Sequence, residues 1–530
     1  MRVNVPSVTP QFLRSRIGKV CVAIIGATPA EMLEKAAAVV KETPFLEFRL
    51  DYLEKPLLAL PKLKHFLSDN TAVTAIATCR RAANGGKFSG NLAAEMEILS
   101  KAGTSGFHIV DLELESVESL KKGELQKLRE TGVALIISHH DFAATKDLDG
   151  IFKRIEPFHP DFIKIVPTAK SLTDNVTLMR FIERMDDHSN IVGVCMGDAG
   201  IISRVLGLRA GSAFTFAAAT AGEETAPGQI AARTLIETYR IDQVDAATKV
   251  YGVAGNPIRS SLSPIMMNTA FRRETVNAVY LALQANKLAD LLKLVHEIPI
   301  QGLSVTMPLK QEIMAHLEKT DPLSAKIGAC NTVLRQDGKL YGFNTDVAGI
   351  TGPIEKRMSL RGAKALVLGA GGAARAAVFG MRDKGAEVFI LNRTAETAQK
   401  LAKQSGSKTI KKDALSKTTF DVIVNATPVG MAGIKSTPIL EAADLNTKLV
   451  FDLVYNPLET PLLRLARQQN IPIITGIEMF VQQGARQFEI FTGKPAPEEE
   501  MLRVVIHALR QQAESVAETP APAAKTKKAS

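Results

Sequence analysis

The sequence predicts an α/β protein in two parts, an N-terminal (β/α)8 barrel followed by a two-lobed α/β unit. Three observations carry that reading. Eight short β-rich runs alternate with amphipathic stretches between residue 20 and about residue 220, the count a barrel needs. IDQVDAAT, residues 241–248, reads as a linker, and a new strand pattern starts after it at KVYGVAGNP. Further on, ALVLGAGGAAR gives a strand, a glycine turn and the opening of a helix, which makes the second lobe Rossmann-type.

The eight runs are VCVAIIG (20–26), FLEFRLD (45–51), VTAIATC (73–79), FHIVDLEL (107–114), ALIISHH (134–140), FIKIVP (162–167), IVGVCMG (191–197) and SAFTFAA (212–218). Segments such as PAEMLEKAAAVVK and AAEMEILSKAG supply helices between them, with little helix before the eighth. A barrel puts its chemistry at the C-terminal ends of its strands. The unusual residues follow that rule. Glu47 and Arg49 share one face of strand two, Arg80 ends strand three, and Asp111 and Glu113 lie late in strand four. His140 ends strand five, Lys164 lies within strand six, Arg204 falls in the loop after strand seven, and Thr225 and Gln229 follow strand eight.

A lone lysine in a strand is more often a snorkelling surface residue, and a lone histidine a satisfied hydrogen-bonder. The conjunction at one rim is what points to chemistry. A lysine amine in an apolar strand can attack a ketone to give an iminium, an electron sink for removing the neighbouring proton. His140 suits the proton transfer, and Arg49, Arg80 and Arg204 suit a carboxylate.

In the second part, KVYGVAG, NAVYLALQ and GLSVTMP alternate with helical segments over residues 249–350. Gly369, Gly371 and Gly372 then permit close backbone approach where a helix N-terminus offers unpaired N–H groups to a pyrophosphate. The next strand ends in Asn392-Arg393-Thr394, where an NAD-binding site places an acid. A cation there suits a 2′-phosphate and so NADP(H). Lys310 and Asp346 form a candidate pair for proton delivery to a reduced carbonyl. Ser261 and Ser263, before Pro264, either cap the following helix or bind a carboxylate.

Composition narrows the class. With 530 residues, 46% hydrophobic and 23% charged, the chain is soluble globular protein of several domains. No apolar run approaches the roughly 20 residues that span a bilayer. No signal or transit layout precedes VCVAIIG, so the expected location is cytoplasmic. The four cysteines are scattered, with no CxxC pair and no metal spacing, so no metal is expected. The formal charge of +10 is dispersed and Trp is absent, which argues for small anionic substrates over nucleic acid. The sequence leaves oligomeric state open.

E-F-R, T-C-R, D-L-E-L, S-H-H-D-F, F-I-K-I and A-P-G-Q, in that order over residues 18–240, resemble type I 3-dehydroquinate dehydratase. The resemblance implies Lys164 as the Schiff-base lysine, His140 as the proton-transfer group, and Glu47, Arg49, Arg80, Arg204, Thr225 and Gln229 as substrate contacts. One position departs: RRAANGG carries Asn84 where that family has a glutamate that orients the histidine. Weaker electrostatic support for His140, and a weaker dehydratase, are expected.

GNPIRSSLSP, SVTMPLK, GACNT, GFNTD, GAGGAAR, NRT, NATPVGM and DLVYNP, over residues 249–510, resemble shikimate dehydrogenase. Lys310 and Asp346 are then the catalytic pair. Ser261, Ser263, Thr306, Asn331, Tyr455 and Gln483 are implied shikimate contacts, and Gly369, Gly371, Gly372, Ala373, Asn392, Arg393 and Thr394 NADP contacts. Ser304 stands where bacterial single-domain members have Asn and plant-type fused proteins have Ser. The second part is thus expected to be a two-lobed dehydrogenase with a Rossmann-type NADP domain.

The expected domains are a barrel at 1–242, a substrate lobe at 249–350, a nucleotide lobe at 351–477, helices returning to the substrate lobe at 478–514, and a disordered tail at 515–530. Such a fusion implies a bifunctional shikimate-pathway enzyme acting on 3-dehydroquinate and 3-dehydroshikimate. Two other readings are an NAD-preferring quinate or shikimate dehydrogenase with a weakened dehydratase, and a metabolite-sensing regulatory pseudoenzyme.

Overall fold

Strand β1 (Val20–Ile24) begins a parallel sheet that takes in β2 (Phe45–Arg49), β3 (Thr74–Thr78), β4 (Ile109–Glu113), β5 (Ala134–His140), β6 (Phe162–Val166), β7 (Ile191–Gly193) and β8 (Thr215–Ala218). In this computed structural model, which describes residue 13 and residues 16–185, 190–258, 261–434 and 437–518, the order is β7-β6-β5-β4-β3-β2-β1-β8. All eight predicted strands are present. Every strand of β1–β4, β6 and β8 is buried on both faces, as a sheet ringed by helices requires.

The ladder runs without interruption from β7 round to β8, and the ring closes at a seam made differently. β7 has only three residues. The Ala213 N–H donates to the Ile191 carbonyl at 2.8 Å, and the Ser212 hydroxyl accepts from the Gly193 N–H at 3.1 Å. Phe45, Phe162 and Phe214 pack edge to face in the barrel interior, with centroids 4.9 and 5.6 Å apart. Residue pairing places Glu113 beside Ser138 and Ser138 beside Lys164, so three neighbouring strands present polar groups to one level of the interior.

Contacts divide the chain into two units, Met1–Lys249 with Leu283–Pro299, and Val250–Ala282 with Ile300–Ser530. Beyond the barrel lies a mixed sheet in the order β10-β9-β11-β13-β14-β12. Its strands are β9 (Lys249–Gly255), β10 (Ala278–Gln284), β11 (Ile300–Val305), β12 (Lys319–Thr320), β13 (Thr332–Gln336) and β14 (Lys339–Phe343). Asp337 and Gly338, at φ of 51° and 76°, form the two-residue turn between β13 and β14, the positive pair that a tight hairpin demands.

The final sheet is parallel, with strands β15 (Lys364–Leu368), β16 (Glu387–Leu391), β17 (Lys408–Thr409), β18 (Val422–Asn425), β19 (Val450–Asp452) and β20 (Ile473–Ile474). Its order β17-β16-β15-β18-β19-β20 reverses direction between β15 and β18, the switch point at which doubly wound sheets bind ligands. Helix Gly476–Thr492 leaves this sheet and packs Phe480, Val481 and Phe488 with Tyr251, Met266 and Phe271, joined by Met501 and Val505 of helix Glu498–Glu518. That last helix takes in residues 515–518, which the sequence reading assigned to the disordered tail; residues 519–530 lie outside the described residues. So do Arg259 and Ser260 of GNPIRSSLSP.

Candidate active sites

One cavity at the barrel mouth is lined by Glu47, Arg49, Arg80, Asn84, His140, Lys164, Arg204, Thr225 and Gln229, while Asp111 and Glu113, also singled out from the sequence, stand behind this lining. Phe142, Met196 and Phe216 provide apolar wall. Lys164 was expected in an apolar setting, and its surroundings differ. Its Nζ donates to Asp111 Oδ2 at 2.8 Å, lies 3.8 Å from Glu47 Oε1, and stands 3.8 Å from the centre of the Phe216 ring. A buried ammonium needs such partners, and β4 and β2 bring them in from neighbouring strands. Burial works to raise the Asp111 carboxyl, but Lys164 and Arg80 outweigh it and hold the group well below its usual range.

His140 is held in the opposite sense. Burial first, then the charges of Arg80, Lys164 and Arg49, push its imidazole far below the ordinary value, so it stands neutral and able to accept a proton. Its Nδ1 is 2.9 Å from Glu113 Oε1 and 3.0 Å from Arg80 Nη1. Asn84 does not reach it. The Asn84 amide donates to Glu115 Oε2 at 3.2 Å, and Glu115 Oε1 lies 2.8 Å from His139 Nδ1.

Two placements differ from the sequence reading. Arg80 lies two residues beyond the end of β3, and Arg204 sits on helix Ser203–Arg209 instead of a loop. Arg204 donates to two carbonyls, Gly228 at 2.8 Å and Phe216 at 3.1 Å, and no carboxylate among the described residues pairs with it. Burial pushes its guanidinium down to about 10. Arg49 already has a bidentate partner in Asp51, at 2.9 and 2.8 Å. The cavity therefore offers one buried cation, Arg204, whose charge only an incoming anion would match. The Thr225 backbone N–H and hydroxyl both donate to Gln229 Oε1, at 2.7 and 3.1 Å.

In the second unit, Lys310 Nζ donates to Asp346 Oδ2 at 2.5 Å, and the Asn331 amide donates to Asp346 Oδ1 at 2.7 Å. The two residues that were 36 positions apart in the sequence are in direct contact because β11 and the N-terminus of helix Asp346–Glu355 converge. Asn331 is fixed in turn by the hydroxyls of Thr332 and Thr345. The Tyr280 hydroxyl donates to Ser304 Oγ at 2.5 Å, which donates to Gln487 Oε1 at 2.7 Å, and Gln487 Nε2 donates to the Asn331 carbonyl at 3.2 Å. Gln487 was missed from sequence, yet it lies one helical turn beyond Gln483 on the same face. Ser261 Oγ accepts from the Ser263 N–H at 3.2 Å at the start of helix Ser263–Arg273, so the pair braces that helix end. Gln483 donates to the Phe480 carbonyl at 2.9 Å, and Tyr455 stacks on Phe480 with centroids 4.7 Å apart. Thr306 stands against Gly255 at the end of β9. None of Ser261, Ser263, Thr306, Tyr455 or Gln483 hydrogen-bonds to the Lys310–Asp346 pair.

Gly369 follows the last residue of β15 at φ +110°, where a Cβ would meet the Ala426 carbonyl at 3.1 Å. Only glycine takes that path. Gly371, the first residue before helix Gly372–Asp383, has open space around its would-be Cβ, and the helix end carries no side-chain cap. Its first N–H groups, with Ala373 beside them, are free for a phosphate, so the residues present fit a dinucleotide. A Cβ on Gly372 would lie 3.5 Å from Lys310 Cδ, which sets the candidate proton donor against the glycine turn. Arg393 and Thr394 are exposed past the end of β16, while Asn392 is half-buried and donates to the Thr394 carbonyl at 3.0 Å. No group of His, Cys, Asp and Glu suited to a metal ion occurs among the described residues.

A paired lysine in a barrel mouth and a lysine–aspartate pair beside a dinucleotide turn define an enzyme with two active centres, a lyase and an oxidoreductase. Family models agree along the chain. Type I 3-dehydroquinase matches residues 20–246, the shikimate dehydrogenase substrate binding domain 253–333, shikimate/quinate 5-dehydrogenase 354–455, and the shikimate 5'-dehydrogenase C-terminal domain 476–506. A chloroplastic bifunctional 3-dehydroquinate dehydratase/shikimate dehydrogenase of Arabidopsis thaliana is 34% identical over 489 residues, covering 86% of this chain and 78% of that protein. An NADP(+) shikimate dehydrogenase of Syntrophobacter fumaroxidans is 40% identical over 256 residues, covering 47% of this chain and 90% of its own length. Among solved structures, dehydroquinate dehydratase and shikimate dehydrogenase from S. pombe AroM is 25% identical, covers 94% of this chain and all of that one, and has a TM-score of 0.43. The chain belongs to the family of bifunctional 3-dehydroquinate dehydratase/shikimate dehydrogenases.

Proposed function

We propose that residues 1–242 dehydrate 3-dehydroquinate through a Schiff base on Lys164, and that the remainder, with lobes at 249–350 and 351–477 and helices at 478–514, reduces the product to shikimate with NADPH. The carrying observation is the barrel cavity, where a neutral His140, the Lys164 amine and the unmatched Arg204 cation meet. Arg204 receives the substrate carboxylate. The neutral His140 takes a proton from Lys164, whose amine attacks the ketone, and returns it to the resulting carbinolamine hydroxyl, which leaves as water to give the iminium. His140 Nε2 takes the proton from the carbon beside the iminium and returns it to the departing hydroxyl, so that C–H and C–O bonds break, a C=C bond forms and one water is lost. Hydrolysis of the iminium frees Lys164. Glu47, Arg49, Arg80, Thr225 and Gln229 hold the ring hydroxyls.

In the second centre NADPH, when bound, supplies the hydride to the carbonyl carbon. Gly369, Gly371, Gly372 and Ala373 would hold its pyrophosphate, and Asn392, Arg393 and Thr394 would take the 2′-phosphate. Lys310 Nζ donates a proton to the developing alkoxide, and Asp346, locked by Asn331, keeps that ammonium aimed. Ser261, Ser263, Thr306, Asn331, Tyr455 and Gln483 surround the substrate, with the Ser261 hydroxyl released from Ser263 to bind its carboxylate. Among the described residues no helix is long and apolar enough to cross a membrane. Four buried free cysteines suit a reducing cytoplasm.

A coupled assay tests the reading: purified protein, NADPH and 3-dehydroquinate, with borohydride trapping in parallel. NADPH loss that begins with dehydroquinate, and an adduct on Lys164, are expected. Loss with dehydroshikimate only, and no adduct, would remove the dehydratase. Faster turnover with NADH than with NADPH would remove the role given to Arg393.

A further inference from the structure

His140 Nδ1 has two neighbours that demand opposite things of it. Arg80 Nη1, 3.0 Å away, can only donate, so a bond to it needs a bare Nδ1 and puts the proton on Nε2. Glu113 Oε1, 2.9 Å away, can only accept when ionised, so a bond to it needs an Nδ1–H and leaves the Nε2 lone pair free for substrate. The neighbourhood favours Glu113. Arg80 is already matched by two carboxylates, touching Glu113 Oε1 and lying 3.2 Å from Asp111 Oδ2. Glu113 is buried, and its other oxygen, Oε2, has no partner among the described residues, so its bonding is concentrated on the oxygen that faces the imidazole. Asn84, at the position expected to orient the histidine, is turned to Glu115, and Glu115 is committed to His139.

We propose that Glu113, not residue 84, is the positioning carboxylate of His140: it fixes the Nδ1–H tautomer and stabilises the imidazolium formed when Nε2 takes the substrate proton. This rests on the dehydration proposed above. Around the ring stand Arg49 from β2, Arg80 after β3, Glu113 from β4, His139 on its own strand and Lys164 from β6. Four of these are cationic or can become so, and Lys164 stays cationic as the iminium. Among the described residues only Glu113 offers His140 a bonded negative charge when it is protonated. The same layout explains how the chain tolerates Asn84. A glutamate at 84 would set a second carboxylate about where the amide now touches Glu115, a repulsive pair, while the histidine already has its anion.

The test uses the full-length protein with Glu113→Gln and Glu113→Asp. Dehydration by Glu113→Gln is expected to lose about 10²-fold in kcat, within the range of general acid–base catalysis, with KM within about twofold. The sign of the pH effect follows from charge: removing the carboxylate destabilises the imidazolium, so the acid limb of kcat/KM moves to lower pH. Glu113→Asp recovers part of the rate and part of the limb position. Reduction of dehydroshikimate stays at the wild-type rate and reports that the chain is folded. Wild-type kcat and an unmoved limb in Glu113→Gln would overturn the proposal, as would a rate loss with an unmoved limb and no recovery in Glu113→Asp, which is plain packing damage. A measurement on the unaltered protein stands independently: the 15N shifts of His140 should show the proton on Nδ1, and a proton on Nε2 overturns the assignment. If the wild type forms no borohydride adduct on Lys164, the dehydration itself falls, an outcome separate from any result at Glu113.

Discussion

The proposed chemistry gives each active centre a lysine, and the contrast between their surroundings fits one side chain to two trades. Lys164 is enclosed, its side chain 6% exposed, shared between Asp111 and Glu47 and lying over the Phe216 ring. Lys310 is 19% exposed, held by one carboxylate, and reaches towards a glycine turn built for a cofactor. A nucleophile must be shielded from bulk water and must have acceptors ready for its proton. A proton donor instead needs a route to solvent for replenishment. On that proposal burial and partner number, more than residue identity, separate the two roles.

The comparison breaks first at the lysines. Lys164→Ala should lower dehydration by more than about 10⁴-fold, as loss of a covalent nucleophile does, with dehydroshikimate reduction unaltered; each half-reaction assayed separately checks this. Lys310→Ala should cost reduction about 10²–10⁴-fold and leave dehydration intact, because an acid is replaced more readily by water than a nucleophile is. Equal losses in the two assays from either variant would end the division of labour. Arg204→Gln sharpens the barrel side. It removes the unmatched cation, so KM for dehydroquinate should rise about 10- to 100-fold, the value of a charged hydrogen bond, with kcat changed far less. The smallest effect is on stability. His108, whose Nδ1 accepts the Ala75 N–H, is pushed down to about 4 by burial, and His140 is also held neutral. Unfolded histidines protonate near 6.5, so below that pH the unfolded chain binds more protons than the folded one and stability falls as pH falls towards 4. Thermal melts from pH 7 to 4.5 should show the barrel weakening, and His108→Gln should flatten the slope.

Much of this was legible in the sequence because strand periodicity and glycine turns are local signals. All eight barrel strands and the turn at Gly369 stood where the pattern placed them. The partners of the lysine did not, because they are neighbours across the sheet and far apart in the chain. Asp111 and Glu113 were visible as charges in β4, but only the pairing of β4 with β5 and β5 with β6 puts Ser138 between Glu113 and Lys164. The hairpin turn at Asp337-Gly338 also has a local signal, an Asp-Gly pair at positive φ within the larger α/β pattern. Gln487 was hidden differently. Its value lies in Ser304 of β11 and Asn331 just before β13, both far upstream in the chain.

The seam between β7 and β8 has its own consequence. Elsewhere the barrel staves are stitched by a continuous ladder, but here the Ala213 amide and the hydroxyl of Ser212 hold the join. A ring breathes at its weakest joint, so amide hydrogens of Gly193 and Ala213 should trade with deuterium well before those of β4 and β5. Arg204 stands on the helix between those two staves, so the flexing of this joint would set how readily a carboxylate enters the barrel.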